Sequence, residues 1–414
     1  METTNGCVAG IDVHKKMLAV VVRRQNGSQM EYIKRQFGTM RREIEHLAAW
    51  LQHEGVSEVV MESTAQYWRP VWYGLEGHFL LHLTHPLKTK APRGRKRDFR
   101  DAQRLADRWA SGDLEESFIP GAEQRGWRWL TRARVHAKRK IGVIRCQVEG
   151  LLEQGSIKLT AVVSDAFGAS GWAILERIAK GETDVEAMVE LALGALRKKS
   201  QKLREALQGR LEPTYQLLLR QHMDQVRLLR KQVEEINEEL AVAMKDHVAV
   251  LCRLSQIPGV DLYAAQELLA EIGPRAAAFP SAEQFSSWVG VCPGSHESAG
   301  VNYSRRSPKG NRYLRRLLMQ TAWGAIHTKK TFFASLFQRL QRKLKAKGAA
   351  WAVAHRMAHV VWLIMHQEVE YQERGEAVPN PRTLARKLRH LVREFQLQGI
   401  DVRAVFDQTV GPHA

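Results

Sequence analysis

The sequence predicts an α/β sheet domain at the N-terminus followed by a mainly helical remainder. Three observations predict it. Short Val- and Ala-rich runs recur between residues 7 and 84. Stretches with apolar residues three and four apart separate them, and that alternation builds a sheet covered by helices. Beyond residue 98 the helical spacing takes over.

Residues 7–13 and 17–24 read as strands, parted by His14-Lys15-Lys16, and residues 29–36 as a third. Residues 40–54 put Ile44, Leu47, Ala48 and Leu51 on one helical face. A strand at 57–62, a helix near 67–77 and a strand at 79–84 follow. Three consecutive strands, then helix, strand, helix, strand, resembles the ribonuclease-H arrangement. Residues 99–111 and 121–155 read as helices, and 156–214 as mostly helical and polar. Between 215 and 244, Leu219, His222, Val226, Leu229, Val233, Ile236, Leu240 and Ala243 make a heptad seam. Such a seam fits a coiled coil that pairs protomers, or one long amphipathic helix packed on its own domain. Leu254 to Ala265 joins two helices through Pro258-Gly259. That turn resembles a helix-hairpin-helix, whose N–H groups hold a phosphate. A plain helix–turn–helix connection fits the same residues. The expected divisions are 1–155 (α/β), 156–250 (helical spacer and coiled coil), 251–350 (helix-hairpin-helix and serine loop) and 351–414 (basic helical extension).

The net charge is +19 over 414 residues, which calls for a polyanionic partner, nucleic acid before an anionic membrane surface. The sequence has no apolar run of about 18 residues and no N-terminal signal pattern. Cys7, Cys146, Cys252 and Cys292 form no CxxC pair. This argues against a cysteine zinc site and a disulfide framework, and fits a reducing cytoplasm.

Four carboxylates carry the candidate chemistry. Asp12 ends Val8-Ala9-Gly10-Ile11, and Glu62 ends Val59-Val60-Met61. Asp98 and Asp101 stand three apart, on one face of a helix. Acids on rigid elements are hard-cation ligands, and such ions activate a nucleophile and stabilise charge at a phosphate. Around Asp98, the stretch Lys88–Arg108 holds nine basic residues against three acids, including Lys88, Lys90, Arg93, Arg95, Lys96, Arg97 and Arg100. It fits a track for a phosphate backbone. Residues 301–350 hold thirteen Lys or Arg and no Asp or Glu. There Tyr303, Arg305, Arg306, Lys309 and Arg312 are candidate nucleic-acid contacts, together with Gly259 of the turn. The glycine-bracketed Gly294-Ser295-His296-Glu297-Ser298-Ala299-Gly300 offers a serine as nucleophile, or is a plain loop.

These motifs, in this order, resemble the DEDD transposases of insertion sequences of the one-ten type. Gly10-Ile11-Asp12-Val13-His14-Lys15 is similar to the family's opening strand, and Met61-Glu62-Ser63-Thr64 to its second acidic motif. Lys96-Arg97-Asp98-Phe99-Arg100-Asp101-Ala102 is similar to its third, with Arg97 where the commoner form has Thr. Ile257 to Gly273, Phe285 to Gly290, Pro293 and Glu297-Ser298 resemble its C-terminal transposase domain. The resemblance implies a RuvC-like N-terminal fold with Asp12, Glu62, Asp98 and Asp101 binding Mg²⁺ (or Mn²⁺). It implies Ser298 as a nucleophile giving a phosphoserine link to DNA, with Ser295 the rival position. It also implies donor and target DNA, a structured non-coding guide RNA, and a bacterial cytoplasmic homo-oligomer, a dimer of dimers, that joins the nucleoid when active. In that assembly the acids of one protomer meet the serine of another. Two alternatives stay open: a RuvC-like nuclease that activates water, and a non-catalytic nucleic-acid-binding protein.

Overall fold

The computed structural model describes residues 7–26, 29–63, 65–84, 98–294, 296–298, 301–304, 307, 309–373, 375 and 381–399. The chain divides into two compact units, Met1–Pro120 and Gly121–Ala414.

The first unit runs β1 (Val8–Val13), β2 (Met17–Asn26), β3 (Gln29–Gly38), α1 (Arg41–His53), β4 (Glu58–Glu62), α2 (Trp68–Leu75), β5 (Leu80–Thr84) and α3 (Asp98–Ala110). The five strands lie in the order β3-β2-β1-β4-β5. β1, β2 and β3 pair antiparallel, whereas β4 runs parallel to β1 and β5 parallel to β4. Side chains alternate across a strand. Ala9, Ile11, Val13, Val59 and Met61 therefore share one face, packed with Ile44, Leu47 and Leu51 of α1 and Val71 and Leu75 of α2. Val8, Gly10, Asp12, Val60 and Glu62 belong to the other face. There Val8 and Val60 pack with Leu105 and Ala106 of α3. Asp98 and Asp101 fall in the first turn of α3, where the helix dipole favours negative charge.

The second unit opens with α4 (Ala122–Gln154) and continues with α5 (Leu159–Val162), α6 (Ala169–Ala179), α7 (Val185–Glu190), α8 (Ser200–Ala206) and α9 (Pro213–Ala243). Then come α10 (Val248–Ser255), α11 (Leu262–Ile272), α12 (Ala282–Val289), β6 (His296–Ser298), β7 (Val301–Ser304), α13 (Arg312–His327), α14 (Phe332–His366) and α15 (Pro381–Leu397). Lys345 interrupts α14 with a φ of 55°.

Helix α4, grouped by sequence with residues 1–155, lies in the second compact unit. The heptad seam of α9 is closed within the chain. Leu219, Met223, Val226 and Leu229 are buried in one cluster with Ala137, Ile144, Val148 and Leu152 of α4. Met223 is buried at this position of the seam, where the sequence pattern placed its neighbour His222. The indole N–H of Trp127, near the start of α4, donates to the carbonyl of Ala243, the last residue of α9 (3.1 Å). The apolar stripe is thus used in packing against the chain's own α4. At the same α4 face the buried Arg134 donates to Gln266 Oε1 (2.6 Å), Asn237 Oδ1 (3.1 Å) and the Tyr263 carbonyl (2.9 Å).

Candidate active site

Gly10 sets the geometry of the acidic site. A Cβ there would lie 2.0 Å from the Ala102 carbonyl oxygen and 2.9 Å from the Ala106 amide nitrogen. Only glycine lets the backbone of α3 lie so close to β1. The far end of α3 is held as well. Trp109 Nε1 donates to Glu58 Oε2 (2.7 Å), and its ring stacks on His82 with centroids 3.9 Å apart. Tyr32 donates its hydroxyl proton to Asp107 Oδ1 (2.8 Å). Burial, then the Asp107 carboxylate, push that phenol upward from its ordinary pKa.

This docking brings Asp98 over the end of β1. His14 Nε2 lies 3.1 Å from Asp12 Oδ2 and 3.3 Å from Asp98 Oδ1. The ligand atoms of Asp12, His14 and Asp98 all fall within 4.8 Å of one another. Glu62 follows on β4: Ile11 pairs with Met61 in parallel register, so the next residues, Asp12 and Glu62, share a level and a face. Asp101 is three residues along α3, its Oδ1 2.9 Å from Arg104 Nη2. The structure thus gathers Asp12 and Asp98 tightly, sets Glu62 on the neighbouring strand, and pairs Asp101 with Arg104.

His14 was not singled out as a site residue. Its signal was the two-residue spacing from Asp12, which places both on one side of an extended chain. Lys88, Lys90, Arg93, Arg95, Lys96 and Arg97 lie outside the described residues, and Arg100 is exposed.

The second candidate feature lies in the other unit. Ser298 ends β6, which pairs antiparallel with β7, Ser298 opposite Val301. Ser295, Arg305 and Arg306 lie outside the described residues; Tyr303 is on β7, and Lys309 is exposed. The segment is closed at its base. Helix α12 stops at Gly290, in the left-handed conformation (φ 81°) that favours glycine. The Asn311 amide donates to the Trp288 carbonyl (3.1 Å), and Gly310 abuts the backbone of Val289. The Asn311 side chain accepts from the amides of Tyr313 (2.9 Å) and Leu314 (3.2 Å), capping α13.

Asn311 also donates to Glu271 Oε2 (2.8 Å). That buried carboxylate takes a two-pronged contact from Arg132 (2.7 and 2.9 Å). Arg128 lies beside it at 3.7 Å, and burial pulls its guanidinium down to about 10. Arg132 and Arg312 both lie over the ring of Tyr313, at 4.3 and 4.9 Å. Glu271 falls in the Ile257–Gly273 stretch and Asn311 at the end of the basic loop, but the sequence assigned neither a role.

Gly259, with φ 82°, is pressed onto α13: a Cβ there would lie 2.3 Å from the Thr321 carbonyl oxygen. At the start of α11 the Ala264 amide already donates to Asp261 (2.7 Å). The helix–turn–helix connection is therefore present, with a carboxylate at one of the amides that a phosphate would use.

Two family profiles match the chain. Residues 9–157 match a DEDD transposase profile of the IS110 type, and residues 252–337 match the profile described as "Transposase IS116/IS110/IS902 family". The chain belongs to the IS110 family of DEDD transposases. It is 31% identical over 208 residues to "Putative transposase y4pF/y4sB" of Sinorhizobium fredii, a match covering 48% of this chain and 49% of that protein. It is 23% identical over 327 residues to "Probable family 20 transposase" of Pseudomonas aeruginosa, covering 76% and 85%. It thus spans about half the length of the first relative and most of the second.

A divalent metal fits this site. DEDD transposases as a family point to a divalent ion, and Asp12, Asp98 and His14 offer two carboxylates and one imidazole at ligating separation. Among the described residues, no helix of the chain is long and apolar enough to cross a membrane.

Proposed function

We propose that this transposase cuts and rejoins DNA strands at Asp12, Glu62, Asp98 and Asp101, with Ser298 as nucleophile and a structured non-coding RNA choosing donor and target. The observation that carries the acidic half is the packing of α3 over Gly10, which brings Asp98 to His14 and His14 to Asp12. The strand order β3-β2-β1-β4-β5 supports a RuvC-like reading of the first unit. The four carboxylates are hard donors that suit Mg²⁺ or Mn²⁺, which would offset charge on the reacting phosphate. His14 positions the two acids that flank it.

In the proposed step the Ser298 hydroxyl oxygen bonds to phosphorus and gives up its proton. The bond from phosphorus to the leaving sugar oxygen breaks, and that oxygen takes a proton. Attack of a sugar hydroxyl on the phosphoserine reverses the exchange and rejoins the strand. The serine comes from a second protomer of a homo-oligomer. The basic residues Lys88 to Arg100 and Tyr303 to Arg312, with the turn at Gly259, hold the nucleic acids.

Trapping tests this reading. With Mg²⁺, guide RNA and nicked substrate, protein-linked DNA is expected from the native chain and from Ser295→Ala, and none from Ser298→Ala. Cleavage at the native rate by Ser298→Ala would leave the water-activating nuclease. Glu62→Gln is expected to abolish cleavage and to leave RNA affinity unchanged; unaltered cleavage removes Glu62 from the metal site.

A further inference from the structure

We propose a second metal site, for a borderline transition-metal dication such as Zn²⁺, held by His355 and His359 and buttressed by Glu283. His355 and His359 are one helical turn apart on the continuous part of α14 beyond Lys345. Side chains four apart share a helix face. Their Nε2 atoms lie 3.2 Å from each other, with the rings at 72°. Two nitrogens bound at 2.0–2.1 Å to one tetrahedral Zn²⁺ would be about 3.3 Å apart. The pair is therefore already spaced as two ligands of a single ion.

The other ring nitrogen of His359 is also placed. His359 Nδ1 lies 3.9 Å from Glu283 Oε1, on α12. A metal-bound histidine commonly donates its second N–H to a carboxylate, which fixes ring orientation. Glu283 suits that role, because its largely exposed side chain has room to close the remaining distance. Its charge also opposes that of Arg356, whose field reaches both rings. The support beneath is rigid: Met357, Ala358 and Val361 are buried, and Trp362 Nε1 donates to the Phe279 carbonyl (2.8 Å). Both imidazoles are only half-buried, leaving the remaining coordination positions to water. The Glu283 carboxylate, drawn to the bound His359, would tie α12 to α14, and α12 is the helix that leads into β6 and Ser298.

The test uses the full chain carrying Asp12→Asn and Asp98→Asn, which silences the acidic cluster. After chelator treatment it is titrated with Zn²⁺ against a chromogenic chelator. One equivalent is expected to bind. Glu283→Gln should weaken that binding about 10- to 100-fold, and His355→Gln with His359→Gln should remove it. Unchanged affinity in the histidine double variant, or no stoichiometric zinc in its parent, overturns the proposal. Co²⁺ added to the parent guards against a folding defect in the variants. Tetrahedral nitrogen-ligand visible bands support the site, and a spectrum like that of the hydrated ion overturns it.

Discussion

Gly10 and Ala102 meet backbone to backbone: a Cβ on Gly10 would lie 2.0 Å from the Ala102 carbonyl oxygen. The contact carries no charge and no hydrogen bond, yet it decides whether Asp98 reaches His14. Gly10→Ala is expected to force α3 off the sheet. The cost is about 1–3 kcal/mol, the usual range for overpacking, with loss of metal-dependent cleavage. Gly142, inside α4, has no atom within 4 Å of its ideal Cβ. Gly142→Ala should instead stabilise by about 0.5–1 kcal/mol through helix propensity. Urea unfolding of the two variants checks both signs; equal effects would mean that the close approach at Gly10 does not matter.

Glu271 is the anionic partner of Arg128 and Arg132 beside the cap of α13. Glu271→Ala leaves a buried guanidinium without its counter-charge and frees Asn311. Such broken buried pairs cost about 3–5 kcal/mol. Denaturant midpoints measure it, and a loss below about 1 kcal/mol, the range of exposed pairs, would show the cluster to be solvated.

Cysteine labelling has a predicted order. Burial pushes the Cys252 thiol up to about 11, while Cys146 is exposed. The thiolate is the reactive form. Near pH 8.5, about the ordinary thiol pKa, iodoacetamide should modify Cys146 early and Cys252 last, as read by peptide mass spectrometry. Cys252 should gain reactivity only as pH rises toward its raised value. Equal rates at the two positions would place Cys252 in a locally open segment.

Arg305 and Arg306 belong to the acid-free basic block. Replacing both by Ala should lower the slope of log affinity against log salt by about one unit for each phosphate left without its arginine. Filter binding across a salt series measures it, and an unchanged slope assigns these arginines elsewhere.

Much of the first unit was legible because its strands are short Val-rich runs and its helices carry a clear apolar stripe. The strand read at 57–62 is β4 (Glu58–Glu62), and the helix read at 99–111 is α3 (Asp98–Ala110). Periodicity fixes an element but not its partner. The stripe of α9 was visible, yet only packing against Ala137, Ile144 and Val148 shows that it closes within the chain. Likewise Asp12 and Asp98 stood out as acids, whereas His14 acquires meaning only when α3 folds back over Gly10. Asn311 looked like a loop residue because its contact with Glu271 depends on a residue 40 positions away.

The closure of Val289 on Gly310 has an evolutionary reading. A segment whose two ends are clasped at one point behaves as a cassette, since the helices on either side register against each other and not through it. Lengthening such a segment costs only about 0.6 kcal/mol per doubling in chain entropy. A change of length between residues 291 and 309 should therefore cost the fold little while α12 and α13 stay as they are, so that the spacing around Ser298 can vary without loss of the scaffold.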